Sequence, residues 1–190
     1  MSTTSSPFGA RVVYHPSGTI RSTAITGMTS IPSAACYKGD LVKLTGGADV
    51  VSVITANDAA YGVFDGCEYI DATGTPIQSP YWPASLSGVT NIKWYVIPFD
   101  PGMILEIQGG SGSWAVTAIG DSADMVIAAG NANTGVSGSY LNATLKGAAA
   151  VGNFRILGLG TQIDNSWSDS YPILRVQIAK NQILTEVNSI

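Results

Sequence analysis

Short apolar runs alternate with polar positions along most of the chain, and clusters of Gly, Asn, Asp or Pro separate them. The pattern is densest over residues 38–71. Leu41, Val42 and Leu44 follow a Lys38-Gly39-Asp40 turn. Thr45-Gly46-Gly47 leads to Val50, Val51, Val53 and Ile54. Asn57-Asp58 interrupts the pattern, and Tyr61, Val63, Phe64, Cys67, Tyr69 and Ile70 resume it. Runs of β-branched and aromatic residues between such turns predict short strands in a meander. Residues 91–99 predict a further strand. Residues 103–108 predict the next, with Met103, Leu105 and Ile107 on one face and Ile104, Glu106 and Gln108 on the other. The three residues between them, Asp100-Pro101-Gly102, suit a hairpin with a bulge.

Later segments read the same way. Residues 114–119 predict a strand, and Asp121 and Asp124 a single helical turn or its cap. Residues 128–139 are a loop of small residues. Residues 154–159 and 173–178 predict closing strands. In the last, Ile173, Arg175 and Gln177 point one way and Leu174, Val176 and Ile178 the other, the alternation of a half-buried strand. The expected fold is therefore all-β: a compact barrel or sandwich of short antiparallel strands.

The first 35 residues differ from the rest. Val12-Val13-Tyr14 and residues 19–25 suggest short strands, but His15-Pro16-Ser17-Gly18, Gly27 and Pro32 prevent long regular structure. The predicted organisation is an extended N-terminal arm, residues 1–35, and one β-rich domain, residues 36–190. Two readings of the arm stay open: it reaches onto a partner, or it adds edge strands to its own sheet. Residues 77–83 form a stiff loop in which Pro80 and Pro83 bracket Tyr81 and Trp82. That pair either plugs a partner's pocket or caps one end of the fold.

Composition sharpens this picture. Charged residues are 12% of the 190, about half the usual share, so the chain has few charges with which to cover a free surface. Weakly charged surface of that extent points to assembly. Net charge is −4, which argues against nucleic acid as a partner, since phosphates call for clustered Lys and Arg. The charge is unevenly spread. Residues 1–37 hold Arg11 and Arg21 and no acid, whereas residues 38–190 hold seven basic and thirteen acidic side chains. No run of about 18 apolar residues exists for a membrane span. The first residues lack the basic and then apolar order of a secretory signal.

Candidate chemistry is sparse. The single histidine, His15, lies in the arm, which leaves little room for His-dependent catalysis. Cys36 and Cys67 are expected as buried free thiols rather than a disulfide. No Cys or His cluster suggests zinc. Asp121 and Asp124 lack the spacing of a calcium loop. Residues 109–113 lack the ending of a phosphate loop. No enzyme, cofactor, metal or small-molecule substrate is expected.

The order of motifs adds a resemblance. KGDLVKLTGG is followed by ITANDAAYGVFDGCEYID, SPYWPA, KWYVIPFDPGMILEIQ, IGDSADMV, GNANTGVSGSYL, FRILGL and PILRVQIAKNQIL. This series, covering most of residues 37–183, resembles the decoration or cement proteins of tailed-bacteriophage heads. The resemblance implies a protein made in the host cytoplasm that binds the exterior of the assembled head. There it would stabilise the capsid by bridging neighbouring major capsid proteins, as a homotrimer, with no reaction. On that expectation the arm orders on the coat proteins. Arg11 and Arg21 would meet acidic groups. Phe8, Val12, Val13 and Tyr14 would give apolar contacts, and Tyr81 and Trp82 a further one. Two other classes compete: a phage tail or fibre component, and a carbohydrate-binding module stacking sugars on Trp82, Trp114 or Trp167.

Overall fold

In the computed structural model, which describes residues 4–28, 30–45, 50–51, 58–147 and 150–183 (residues 50–51 by backbone alone), one long strand is covered on both faces. It spans Gly62–Ile70, and the other strands are arranged about it. In chain order the strands are β1 Arg11–Tyr14, β2 Thr23–Thr26, β3 Cys36–Tyr37, β4 Leu41–Leu44, β5 Val50–Val51 and β6 Gly62–Ile70. Then come β7 Pro76–Ser79, β8 Tyr81–Trp82, β9 Thr90–Pro98, β10 Ile104–Gln108, β11 Ser122–Ala123 and β12 Met125–Val126. The last three are β13 Tyr140–Leu141, β14 Phe154–Leu159 and β15 Ile173–Ile178. The fold is all-β, as the alternation predicts.

Two antiparallel sheets account for most of it. The first has the order β1-β10-β15-β14-β11. The second has the order β2-β9-β6-β4-β5, with β7 on the far half of β6. A first core lies between them. Leu41 and Val63 of the second sheet meet Leu105, Ile107, Phe154, Ile156, Leu174 and Val176 of the first. A second core lies on the other face of the second sheet, where Val42, Phe64, Cys67, Tyr69, Trp94 and Val96 are covered by Cys36 of β3 and Trp82 of β8.

A bulge makes this double burial possible. Strict alternation would send Phe64, Gly66 and Glu68 to the second core. The register instead shifts between Phe64 and Gly66, so Phe64, Cys67 and Tyr69 share that face and Glu68 stays outside. Gly66 has φ +155°, a backbone region that side chains rarely enter.

Three expectations about elements are corrected. Residues 91–99 and 103–108 are strands, but they do not form a hairpin. β9 already has β2 and β6 on its two edges, and β10 has β1 and β15. The turn at residues 100–102 therefore carries the chain from one sheet to the other. The Met103 N–H donates to the Asp100 carbonyl at 3.0 Å and the Gly102 N–H to Asp100 Oδ1 at 2.9 Å. Residues 114–119 are not a strand. Trp114 and Ala118 are both buried, and Val116–Ala118 form a 3-10 turn. Asp121 and Asp124 open no helical turn and instead flank the short strands β11 and β12. The expected turn at Gly46-Gly47 and the residues Val53 and Ile54 lie outside the described residues.

Candidate interaction surface

Residues 4–26 are laid along the body. β1 pairs with β10 from Arg11 opposite Glu106, and β2 pairs with β9 to Thr26 opposite Lys93. Residues 11–26 therefore run antiparallel beside residues 93–106 and change sheets where that segment does. The pairing makes the arm the outer strand of both sheets.

Two close approaches seat it. At Gly9 the chain crosses Gly39: the Ala10 N–H donates to the Gly39 carbonyl at 2.8 Å, and the Gly9 N–H to the Ser139 carbonyl at 3.1 Å. Gly9 has φ +72°, and a Cβ there would collide with the Gly39 carbonyl oxygen. Beneath the crossing is a buried carboxylate. Asp40, 2% exposed, accepts hydrogen bonds from Ser137 Oγ at 2.5 Å, Ser139 Oγ at 3.1 Å and the Tyr37 N–H at 2.8 Å. Burial pushes its carboxyl up, and these donors only partly offset that. The node ties loop 128–139 to the turn that receives the arm.

The second anchor is Glu106, in the middle of β10. Arg11 Nη2 lies 2.6 Å from its Oε2, Gln162 Nε2 donates to the same oxygen at 3.0 Å, and Arg175 Nε lies 3.6 Å from Oε1. Burial raises the Glu106 carboxyl, but the hydrogen bonds from Arg11 and Gln162 and the charges of Arg11 and Arg175 outweigh it, and the net shift is downward. A buried carboxylate is kept charged by its partners.

The eight candidate contact residues fare differently. Phe8 is half-buried under the Arg11 guanidinium, 5.0 Å from its ring centre. Arg11 is engaged internally by Glu106 and is not a spare cation. Val12 packs against the first core. Val13 and Tyr14 are exposed, Tyr14 by 52%. Arg21 is exposed and has no ion pair or hydrogen bond among the described residues. Tyr81 is half-buried and stacks on Tyr37, with ring centres 5.5 Å apart. Trp82 cannot be a contact residue. It is fully buried, its Nε1 donates to the Pro32 carbonyl at 2.9 Å, and its ring packs on Trp94 and Tyr69. The loop around it caps the second core.

The same burial removes two of the three platforms of the carbohydrate reading, Trp82 and Trp114, while Trp167 is only partly buried. Trp114 is 6% exposed, with its Nε1 donating to the Gly110 carbonyl, and Trp167 packs against the first core. Cys36 and Cys67 are buried free thiols, and burial pushes Cys67 up to about 12. Among the described residues no group of three or more His, Cys, Asp or Glu side chains could hold a metal ion. No helix among them is long and apolar enough to cross a membrane.

Two of the cavities along the arm lie beside its candidate contact residues. One, of about 360 Å³, opens between Phe8, Val12 and Ile20 of the arm and Phe64, Ile97 and Val136 of the body. The other, of about 480 Å³, is lined by His15, Ser17, Arg21, Thr23, Phe99 and Asp100. Sequence reasoning found Arg21 but missed Arg155, an exposed arginine of β14 likewise without a partner among the described residues. No family model, curated protein or solved structure matches the chain.

Proposed function

We propose that this chain is a structural binding protein that decorates the outer surface of an assembled phage head and holds neighbouring major capsid proteins together. One observation carries the reading: residues 11–26 form the outer strand of both sheets and bear the exposed apolar side chains Val13, Tyr14 and Ile20. An open sheet edge with apolar side chains is a site for another protein chain. The motif order of residues 37–183 supports the same reading.

The mode of contact differs between the two edges. In β1 the register shifts between Val12 and Tyr14, and a bulge interrupts continuous strand addition. Contact there is through the Val13 and Tyr14 side chains. β2 keeps a regular register along its four residues, and its free edge offers backbone hydrogen bonds. Each contact is small. Many copies on one head act together, because a protein that touches two coat subunits gains effective concentration at the second.

The test is co-sedimentation of the purified protein with heads that lack it. Saturable binding at a fixed number of copies per head is expected, with weaker binding for Tyr14→Ser. Absence of binding at all concentrations rejects the reading.

A further inference from the structure

Arg11, Lys38, Lys43, Lys93, Lys146 and Arg175 are in ion pairs. Among the described residues, Arg21 and Arg155 have none, and neither makes a hydrogen bond. They come from distant parts of the chain, yet the turn at residues 100–102 joins their surroundings. Arg21 lines the cavity of about 480 Å³ together with Pro98, Phe99 and Asp100. On the other side of the turn, the Gln177 side-chain amide donates to the Pro101 carbonyl. Arg155 sits directly opposite Gln177 in the β14–β15 pair, so the two project from the same face of the first sheet. Pro16 of the arm rests against Gly102, and exposed Tyr14 lies two residues before it.

The turn at residues 100–102 thus connects the two, through the cavity on the Arg21 side and through Gln177 on the Arg155 side, with exposed Tyr14 close by in sequence to Pro16. The adjoining row of the same sheet is different: there Arg11 and Arg175 both lie against the Glu106 carboxylate. Asp100 is the acidic group in the Arg21 cavity, and its Oδ1 is held by the Gly102 N–H.

We propose that the surface around the turn at residues 100–102 docks onto a carboxylate-bearing protein surface, with Arg21 and Arg155 each meeting an acidic side chain. The proposal rests on the head-binding reading and assigns the face that is used. Protein carboxylates fit better than nucleic-acid phosphates. Two separated cations beside tyrosine on an acidic protein match the make-up of a protein interface. A polyanion would require a cluster of bases.

The experiment measures binding of the full chain to undecorated heads for the wild type, Arg21→Gln/Arg155→Gln and Lys93→Gln. Lys93 is exposed and paired with Glu68 in the second sheet. The double variant is expected to keep the wild-type melting temperature, because neither side chain has an ion pair or hydrogen bond among the described residues to lose. Its head affinity is expected to fall about ten-fold or more, with Lys93→Gln unchanged. Unchanged affinity of the double variant overturns the assigned face and leaves the head-binding reading standing. An equal loss in Lys93→Gln also overturns it, because net charge alone would then explain the effect. Displacement of the protein from heads by low concentrations of duplex DNA overturns the choice of carboxylates. A wild type that does not bind heads ends both readings together.

Discussion

Glu106 concentrates the electrostatics of the arm in one residue. Its carboxylate is nearly buried, and Arg11, Gln162 and Arg175 all converge on it. Because these partners hold its carboxyl below the ordinary glutamate value of 4.5, its ionised form favours the folded state. That stabilisation is complete above about pH 4.5 and is lost as pH falls through the lowered folded-state value. Asp40 works in the opposite sense, since burial raises its carboxyl, but it is present in any Glu106 variant and cancels in the comparison. Glu106→Gln is therefore expected to be less stable than the wild type near neutrality, with the two converging in acid. Urea unfolding from about pH 7 down to about pH 2.5 reads this directly. A stability difference that stays constant through the acid range would contradict the assignment.

At the scale of elements, the arm is part of the fold. β1 supplies the outer edge of the first sheet, Ala10 is buried in the first core, and Val12 packs against it. Deleting residues 2–14 is expected to lower stability by about 3 kcal/mol, from the apolar surface uncovered on Ala10, Val12 and their neighbours, read as a lower urea midpoint. A dangling arm would leave the midpoint unchanged. Strand identity was legible wherever one face is buried and the other wet, as in residues 173–178. Strand pairing was not. Asp100-Pro101-Gly102 carries the turn chemistry of a hairpin, but that chemistry is local and is silent on which strand edges are already occupied. The arm takes the outer edges of β10 and β9, the second of the two readings that the sequence left open for it. The fates of Trp82 and Trp114 were hidden for a related reason. An aromatic residue beside Pro or Gly looks the same on a surface loop as in a loop closing a core, and only tertiary packing separates the two. Arg155 was hidden because its lack of an ion pair among the described residues is a property of the assembled sheet.

Over the whole molecule, two cores lie back to back on one central sheet, with the arm along the outer strands of both sheets. The arm carries exposed Val13, Tyr14 and Ile20 and the unpaired Arg21. Such a molecule contributes to an assembly by what it touches, and a protein that binds only the intact head stabilises it by mass action. On the proposed function, binding holds neighbouring coat proteins together. The direct measurement is to heat DNA-filled heads with increasing amounts of the protein and follow DNA release with an intercalating dye. The release temperature is expected to rise with added protein and to level off where binding saturates. A release temperature that does not move while the protein is demonstrably bound would contradict the claim.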